Sequence, residues 1–377
     1  MTPSDIFTIS HRDPLGRGRA GMLRLPHGNV PTPAFMPVGT HASVKGLTSD
    51  QVASTGASIL LCNAFHLSLR PGEELVRDLG GIHRFMNWHR PILTDSGGYQ
   101  IFSLGKLFEV DDSGVSFQSP IDGKRLTFTP ERVVAIQEAL GVDIMMPLDQ
   151  PVGWPCEEDT ARFATRRSVA WLKRAVAAKT TSQVLFGIAQ GSVFHDVRRE
   201  GTALVLETGV PGLAVGGLAV GEGQELMLQG LDYALRGVPP QYPVYLMGVG
   251  TPADIVEAID RGVDMFDCVL PTRNGRTGWA WTSEGVLRIR NSVFRDDSRP
   301  LDPRCDGPCC RVSRAYIRHL FVAGEMLGPS LLSFHNLRYY QRLVEGAREA
   351  IIEKKWPLYK MQVLDRVKRI GRGSAAL

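Results

Sequence analysis

Hydrophobic and polar positions along this chain follow two periods in turn. Short apolar runs bounded by turn residues fall at 33–38, 58–65, 91–94, 143–148, 184–189, 212–215, 244–248 and 265–269. Runs of that length and composition read as strands buried on both faces, as parallel strands are. Between the later runs lie amphipathic stretches of helical period at 129–140, 158–178, 195–207, 222–235 and 251–261. The first of these opens Thr129-Pro130-Glu131-Arg132, a helix-start signature. Alternating strand and helix patterns predict parallel βαβ units. Eight strand candidates favour a closed (β/α)8 TIM barrel over an open doubly wound sheet. The pattern breaks twice. Residues 103–128 alternate like strands around an Asp122-Gly123 turn, predicting a β-hairpin insertion. After Gly278, a strand-like stretch at 279–290 leads into an Arg-, Asp- and Pro-rich loop, a cysteine cluster, and helices at 313–325 and 336–354. The division this predicts is a barrel over 1–275 and a small C-terminal subdomain over 276–370 packed on it. Residues 371–377 read as a frayed tail.

Five of the apolar runs end on polar or glycine-rich tips. The run at 91–94 meets Asp95-Ser96-Gly97-Gly98-Tyr99-Gln100, the run at 143–148 meets Asp149-Gln150, and the run at 184–189 meets Gln190-Gly191. The fourth ends on Gly216-Gly217. The fifth, Met265-Phe266, ends on Asp267, followed by Cys268-Val269-Leu270-Pro271-Thr272-Arg273-Asn274-Gly275-Arg276. The C-terminal ends of barrel strands are where such a fold keeps its active site. A lone strand-end Asp is often a helix cap or turn residue. Three at one end of one barrel point instead to chemistry, one carboxylate attacking carbon and another moving protons, as in retaining glycosidases. Gln190 and the Gly216-Gly217 backbone offer neutral donors and acceptors suited to a flat heterocycle, on which Tyr99 could stack.

Composition narrows the setting. The 377 residues are 43% hydrophobic and 22% charged, ample for a large core in a soluble protein. No stretch approaches the roughly 20 apolar residues that span a bilayer, and no secretory signal opens the chain. Cys62, Cys156 and Cys268 are scattered, which suits core packing in a reducing cytoplasm. The net charge of +4 hides an asymmetry. From Arg273 to Arg318 ten Arg face five acidic residues, and from Lys354 to Arg372 seven basic residues face one acid, leaving the rest of the chain at −7. A basic C-terminal third on an acidic body suggests a polyanionic partner, with solvated surface charge as the plainer alternative.

Gly248-Val249-Gly250-Thr251-Pro252-Ala253 matches a dinucleotide fingerprint, with acidic Asp264 and Asp267 downstream. Its late position and the fit of Thr251 and Pro252 to a helix N-cap and first turn argue against that reading. A loop for the phosphate of another partner, an RNA backbone included, stays open.

Taken together, Thr94-Asp95-Ser96-Gly97-Gly98-Tyr99-Gln100, Gly187-Ile188-Ala189-Gln190-Gly191, Gly216-Gly217-Leu218-Ala219-Val220-Gly221-Glu222 and the 266–276 run closely resemble the tRNA-guanine transglycosylases. The resemblance runs in order over roughly residues 5–368. It implies a zinc-containing (β/α)8 barrel, commonly homodimeric, that replaces guanine at the wobble position of tRNAs with G-U-N anticodons by a 7-deazaguanine, on the way to queuosine. It further implies Asp267 as nucleophile at ribose C1′ and Asp95 as general acid/base. Asp149, Gln190 and Gly217 would read the base edge, with Ser96, Gly97 and Gly98 beside it and Tyr99 stacking. Gly248, Val249, Gly250, Thr251, Pro252, Ala253 and Asp254, with Thr272, Arg273, Asn274, Gly275 and Arg276, would contact RNA. Structural Zn2+ would sit on Cys305, Cys309, Cys310 and His335. No nucleotide cofactor is needed, because one N-glycosidic bond replaces another.

Two stretches depart from the family pattern. The zinc run usually reads Cys-x-Cys-x2-Cys, whereas here it is Cys305-Asp306-Gly307-Pro308-Cys309-Cys310. Three thiols and an imidazole still suffice for a Cys3His site, with a subdomain held by packing alone as the alternative. Bacterial members also carry a Cys two residues after the counterpart of Asp149, where Gln150-Pro151-Val152 stands here. The incoming base therefore stays open among 7-aminomethyl-7-deazaguanine, its nitrile precursor and queuine, the first favoured. A nicotinamide-dependent oxidoreductase and a non-catalytic RNA-binding paralogue are the rival readings. Retention of both Asp95 and Asp267 weighs against the second.

Overall fold

The computed structural model describes residues 1–102 and 108–373. Of the expected 103–128 insertion, residues 103–107 lie outside the described residues, as do residues 374–377 of the expected tail. The chain is a mixed α/β protein built on parallel sheet. One sheet runs Val184–Leu185, Ile144–Met145, Ile92–Asp95, Leu60–Asn63 in spatial order. The other runs Gly187–Ala189, Leu213–Val215, Val244–Leu246, Met265–Asp267, Ala34–Met36. Every pairing within these two sheets is parallel. The sheets touch at both margins. Phe186 N–H donates to Met145 of one sheet while the next residue, Gly187, donates to Gly212 before the other, at 3.1 and 3.0 Å. At the opposite margin Val38 bridges Leu61 in parallel, and Leu61 N–H donates to the Pro37 carbonyl at 3.0 Å.

Alternation along the strands divides their side chains between two cores. Met36, Leu61, Leu93, Ile144, Phe186, Ile188, Ala214, Tyr245 and Met265 share one buried cluster. Their neighbours Phe35, Leu60, Cys62, Ile92, Met145, Leu185, Leu213, Leu246 and Phe266 share another with the helices. Helical segments at Pro130–Leu140, Glu158–Ala178, His195–Glu207, Gln224–Leu235 and Pro252–Asp260 follow the periodic stretches closely.

The sequence reading did not anticipate the N-terminal antiparallel sheet of Phe7–Arg12, Arg19–Leu25 and Gly28–Thr32. It supplies Leu23, Leu25 and Val30 to the cluster lined by the parallel strands. Its first strand ends in polar, exposed Ser10-His11-Arg12, which masks the period. The Met265–Asp267 strand stops earlier than the expected 265–269, because Pro271 starts the helix Leu270–Thr277. Between Gly98–Phe102 and Pro130–Leu140 an antiparallel sheet of Phe108–Val110, Val115–Gln118 and Arg125–Phe128 is inserted in the chain.

The expected helix at 336–354 spans Leu327–Ile352, with Pro329 tolerated in its first turn. This helix does not stand apart. Its Leu337, Tyr340, Leu343, Val344 and Ala347 belong to the cluster that backs the parallel strands. Gln341 Nε2 donates to the Phe35 carbonyl at 3.0 Å. A separate apolar cluster of Ala280, Ile289, Leu301, Ile317, Phe321 and Leu332 surrounds the cysteines. A final helix, Trp356–Gly373, covers the start of the expected frayed tail.

Candidate active site

Asp95, Asp149, Gln190, Gly216, Gly217 and Asp267 line one cavity of about 500 Å³, together with Ser96–Gln100, Tyr245, Gly248–Thr251, Asp254 and Arg273. Each reaches it from the C-terminal end of a parallel strand or the turn that follows.

Asp95 closes the strand Ile92–Asp95 and lies in register with Asn63 of the next strand. Asn63 Nδ2 donates to Asp95 Oδ2 at 2.7 Å, while Oδ1 is buried with no hydrogen-bond partner among the described residues. Burial, then the nearby Asp267 charge, push the Asp95 carboxyl up to about 8. Such a group is protonated at neutral pH.

Asp149 is 6% exposed and receives Gln190 Nε2 at 2.6 Å. Burial raises it to about 6, against the hydrogen bond from Gln190. Gly98 is packed so tightly here that a Cβ on it would stand 2.5 Å from Asp149 Oδ1. Gln190 Oε1 is buried and unpartnered among the described residues. The cavity thus presents two buried acceptor oxygens, Asp95 Oδ1 and Gln190 Oε1, that none of the described residues satisfies, the condition a polar heterocycle would relieve.

Asp267 is held differently. Tyr245 Oη and the Gly248 N–H both donate to its Oδ1, at 2.6 and 2.7 Å. Burial raises its pKa, and these two donors act against the rise. They gather both hydrogen bonds on one oxygen and orient the carboxylate without engaging Oδ2.

The glycine-rich loop that mimics a dinucleotide fingerprint therefore has a local task. Its first N–H is spent on Asp267, and Thr251 Oγ1 accepts from Asp254 N–H at 3.2 Å to cap the helix Pro252–Asp260. Gly250 is wedged against Cys268, where a Cβ would fall 2.1 Å from that of Cys268.

Of the residues expected against RNA, Val249, Gly250, Pro252, Thr272 and Gly275 are buried. Thr272 and Gly275 sit on the inner face of the helix Leu270–Thr277, against the helix Leu327–Ile352. Gly248 and Arg273 are exposed, and Thr251, Ala253, Asp254, Asn274 and Arg276 partly so. Tyr99 is 63% exposed at the cavity mouth.

Cys305, Cys309, Cys310 and His335 come together, their ligand atoms within 4.8 Å of one another. Sγ of Cys309 lies 3.5 Å from that of Cys305, 3.8 Å from that of Cys310 and 3.6 Å from His335 Nδ1. A tetrahedron with metal–sulfur bonds of about 2.3 Å has edges of about 3.8 Å, so these spacings fit one ion. His335 Nε2 meets the Trp281 carbonyl at 2.7 Å, which leaves Nδ1 for the cluster. Adjacent Cys309 and Cys310 both reach the same point because they lie on the tight turn Pro308–Cys310.

A second group, His27, His83 and Asp143, lies near the start of the strands. There each Asp143 oxygen already takes one imidazole and one backbone N–H.

Asn63, Tyr245 and Arg198 escaped the sequence reading. Asn63 and Tyr245 lie inside apolar runs, and only cross-strand register reveals that they face Asp95 and Asp267. Arg198 sits in an amphipathic helix, where an Arg reads as surface. It is nonetheless completely buried.

A family model described as Queuine tRNA-ribosyltransferase matches residues 13–369. The Queuine tRNA-ribosyltransferase of Caulobacter vibrioides is 51% identical over 358 residues, covering 94% of this chain and 96% of its own. That of Granulibacter bethesdensis is 53% identical over 350 residues (92% and 93%), and that of Desulforudis audaxviator 50% identical over 362 residues (95% and 97%). With a match this long and this similar, the chain belongs to the queuine tRNA-ribosyltransferase family.

Proposed function

We propose that this protein is a tRNA-guanine transglycosylase that exchanges guanine at the wobble position of G-U-N anticodons for a 7-deazaguanine base. The observation that carries the reading is the convergence of two differently held carboxylates, Asp95 and Asp267, on a cavity that Asp149 and Gln190 furnish for a heterocycle. In this mechanism Asp267, steadied through Oδ1 by Tyr245 and Gly248, attacks ribose C1′ with Oδ2. The glycosidic bond to guanine breaks as the ribose–Asp267 ester forms. Asp95, pushed up to about 8, gives its proton to the departing base and later removes one from the incoming base, whose nitrogen displaces Asp267.

Asp149 accepts from the N–H groups of the base edge, and Gln190 and the Gly217 N–H complete its recognition. Tyr99 stacks on the base. Arg273 and the exposed parts of 248–254 and 272–276 meet the RNA. The incoming base is 7-aminomethyl-7-deazaguanine, with Pro151 of the departing motif in the cavity wall beside it.

With Val184–Leu185 and Gly187–Ala189 taken as one strand interrupted at Phe186, the two parallel sheets are best understood as one closed eight-stranded barrel, a reading supported by the contacts at both sheet margins. The antiparallel 108–128 sheet is its insertion, and 276–370 its zinc- and RNA-binding subdomain. The donor set and spacings of Cys305, Cys309, Cys310 and His335 support structural Zn2+. When bound, the ion supplies cross-linking of the 305–310 loop to the helix Leu327–Ile352. The enzyme works as a homodimer in the cytoplasm. Among the described residues no helix is long and apolar enough to cross a membrane.

The test is incorporation of labelled guanine into unmodified tRNA with a G-U-N anticodon. Asp267→Asn is expected to abolish incorporation and covalent trapping of tRNA while leaving tRNA affinity within about twofold, because the loss falls on the bond-making step. Wild-type protein that takes up neither guanine nor queuine would sink the reading.

A further inference from the structure

Arg198 lies on the helix His195–Glu207 and is completely buried, yet among the described residues its hydrogen bonds go to the backbone and none to a carboxylate. Its guanidinium instead spends four of its five N–H donors on four backbone carbonyls. Nε donates to Ser192 at 2.6 Å, one terminal nitrogen to Ala189 and Gly216 at 3.1 and 2.9 Å, and the other to Gly217 at 3.1 Å. Such a fork gathers the end of the strand Gly187–Ala189, the turn after Gln190 and the Gly216–Gly217 turn onto one rigid plane.

The consequence lies on the far side of those peptides. Among the described residues cis bonds occur only before Pro33, Pro71 and Pro155, so the Gly216–Gly217 and Gly217–Leu218 peptides are trans. A trans peptide points its carbonyl and its N–H in opposite directions. With both carbonyls drawn to Arg198, the N–H groups of Gly217 and Leu218 turn the other way. Gly217 and Leu218 line the cavity and Arg198 does not. Neither N–H has an acceptor among the described residues. Gly217, at φ +64°, takes a left-handed conformation that lets successive N–H groups converge. Gln190 is fixed in the same frame, since its flanking carbonyls at Ala189 and Ser192 are both Arg198 acceptors.

We propose that Arg198 is a positioning residue for base selection, locking the Gly216–Leu218 peptides so that their N–H groups form a preset donor pair for an acceptor oxygen of the bound base. The inference rests on the base-exchange reading. It predicts that discrimination for a base oxygen depends on a side chain that never touches the base. Lysine cannot replace it. One flexible ammonium does not hold four carbonyls in a plane.

The experiment measures guanine incorporation by the full-length enzyme, with KM determined separately for guanine and for tRNA. Inhibition by 6-thioguanine, which keeps the N1–H of guanine but replaces the carbonyl oxygen by a weakly accepting sulfur, is compared with that by guanine. Wild type is expected to prefer guanine by about tenfold or more, the scale of a lost hydrogen bond to a buried donor. In Arg198→Lys and Arg198→Met, folded by circular dichroism, KM for guanine should rise about tenfold and the preference shrink toward unity, with KM for tRNA within about twofold. Folded variants that keep the guanine KM, or that lose guanine and 6-thioguanine equally, would overturn the proposal. If neither variant folds, the wild-type preference decides, and its absence overturns the proposal. Wild type that exchanges no base at all would instead remove the reading on which the inference stands.

Discussion

Asp95 and Asp267 are chemically identical side chains that their surroundings make unequal. Asp267 has two donors on one oxygen, whereas Asp95 has one amide and an unpartnered buried oxygen. Holding Asp95 at about 8 has a thermodynamic cost that depends on pH. An Asp with ordinary unfolded behaviour loses its proton near pH 4, while the folded one keeps it to about 8. Between those values the native state binds more protons, so stability falls as pH rises, and below them the difference vanishes. Asp95→Asn removes this penalty and keeps an acceptor for Asn63. It is therefore expected to melt a few degrees above wild type at pH 8, with the gap closing towards pH 4. Melting curves across that range check the sign, and a gap that widens on acidification would contradict it. The three aspartates were legible in the sequence because each follows an apolar run. Asn63, Tyr245 and Arg198 were not, since their roles come from cross-strand register and from a buried helix face, neither of which a one-dimensional pattern records.

At the scale of elements, the helix Leu270–Thr277 links Asp267 to the C-terminal third. It begins three residues after Asp267 and crosses the helix Leu327–Ile352 at Gly275, where a Cβ would lie 2.6 Å from the Ser333 backbone nitrogen. Asn336 ties the crossing together, donating to the Pro271 and Trp279 carbonyls at 2.9 Å each. Backbone cannot move aside as a flexible side chain does. Gly275→Ala should thus cost about 1–3 kcal/mol by overpacking. It should also lower the incorporation rate by tilting the residues that follow Asp267, which denaturant unfolding and kinetics would measure together. The sequence pattern placed the helices well where one apolar stripe faces the strands. It lost the start of Leu327–Ile352, which the expected helix entered only at 336, and the Phe7–Arg12 strand, whose outer half is polar.

Across the whole molecule, the basic C-terminal third keeps only part of its charge free at the surface. Arg314 is buried on the Pro300 and Leu301 carbonyls, and Lys360 is paired with Glu257 and Asp260. Arg273 and Arg311 remain exposed. Affinity for tRNA should fall with salt at about −0.7 in log–log slope for each phosphate neutralised along a single-stranded stretch. A total steeper than about −2 is expected from binding titrations, and a flat response would remove this face as the RNA surface. Metal removal gives an independent check. Chelation should release one zinc per chain and lower the melting temperature by cutting the 305–310 loop from His335, with Cys309→Ser reproducing the effect.

The sequence by itself determined the alternation of strand and helix, the polar strand tips and their family motifs, because periodicity and short-range spacing are written residue by residue. Tertiary structure alone decided which peptide faces a cavity, which arginine is buried rather than exposed, and how adjacent Cys309 and Cys310 reach one point. Those outcomes depend on burial and on contacts between residues far apart in the chain. Arg198 and Gly217 are nineteen positions apart and meet only when neighbouring strands pair.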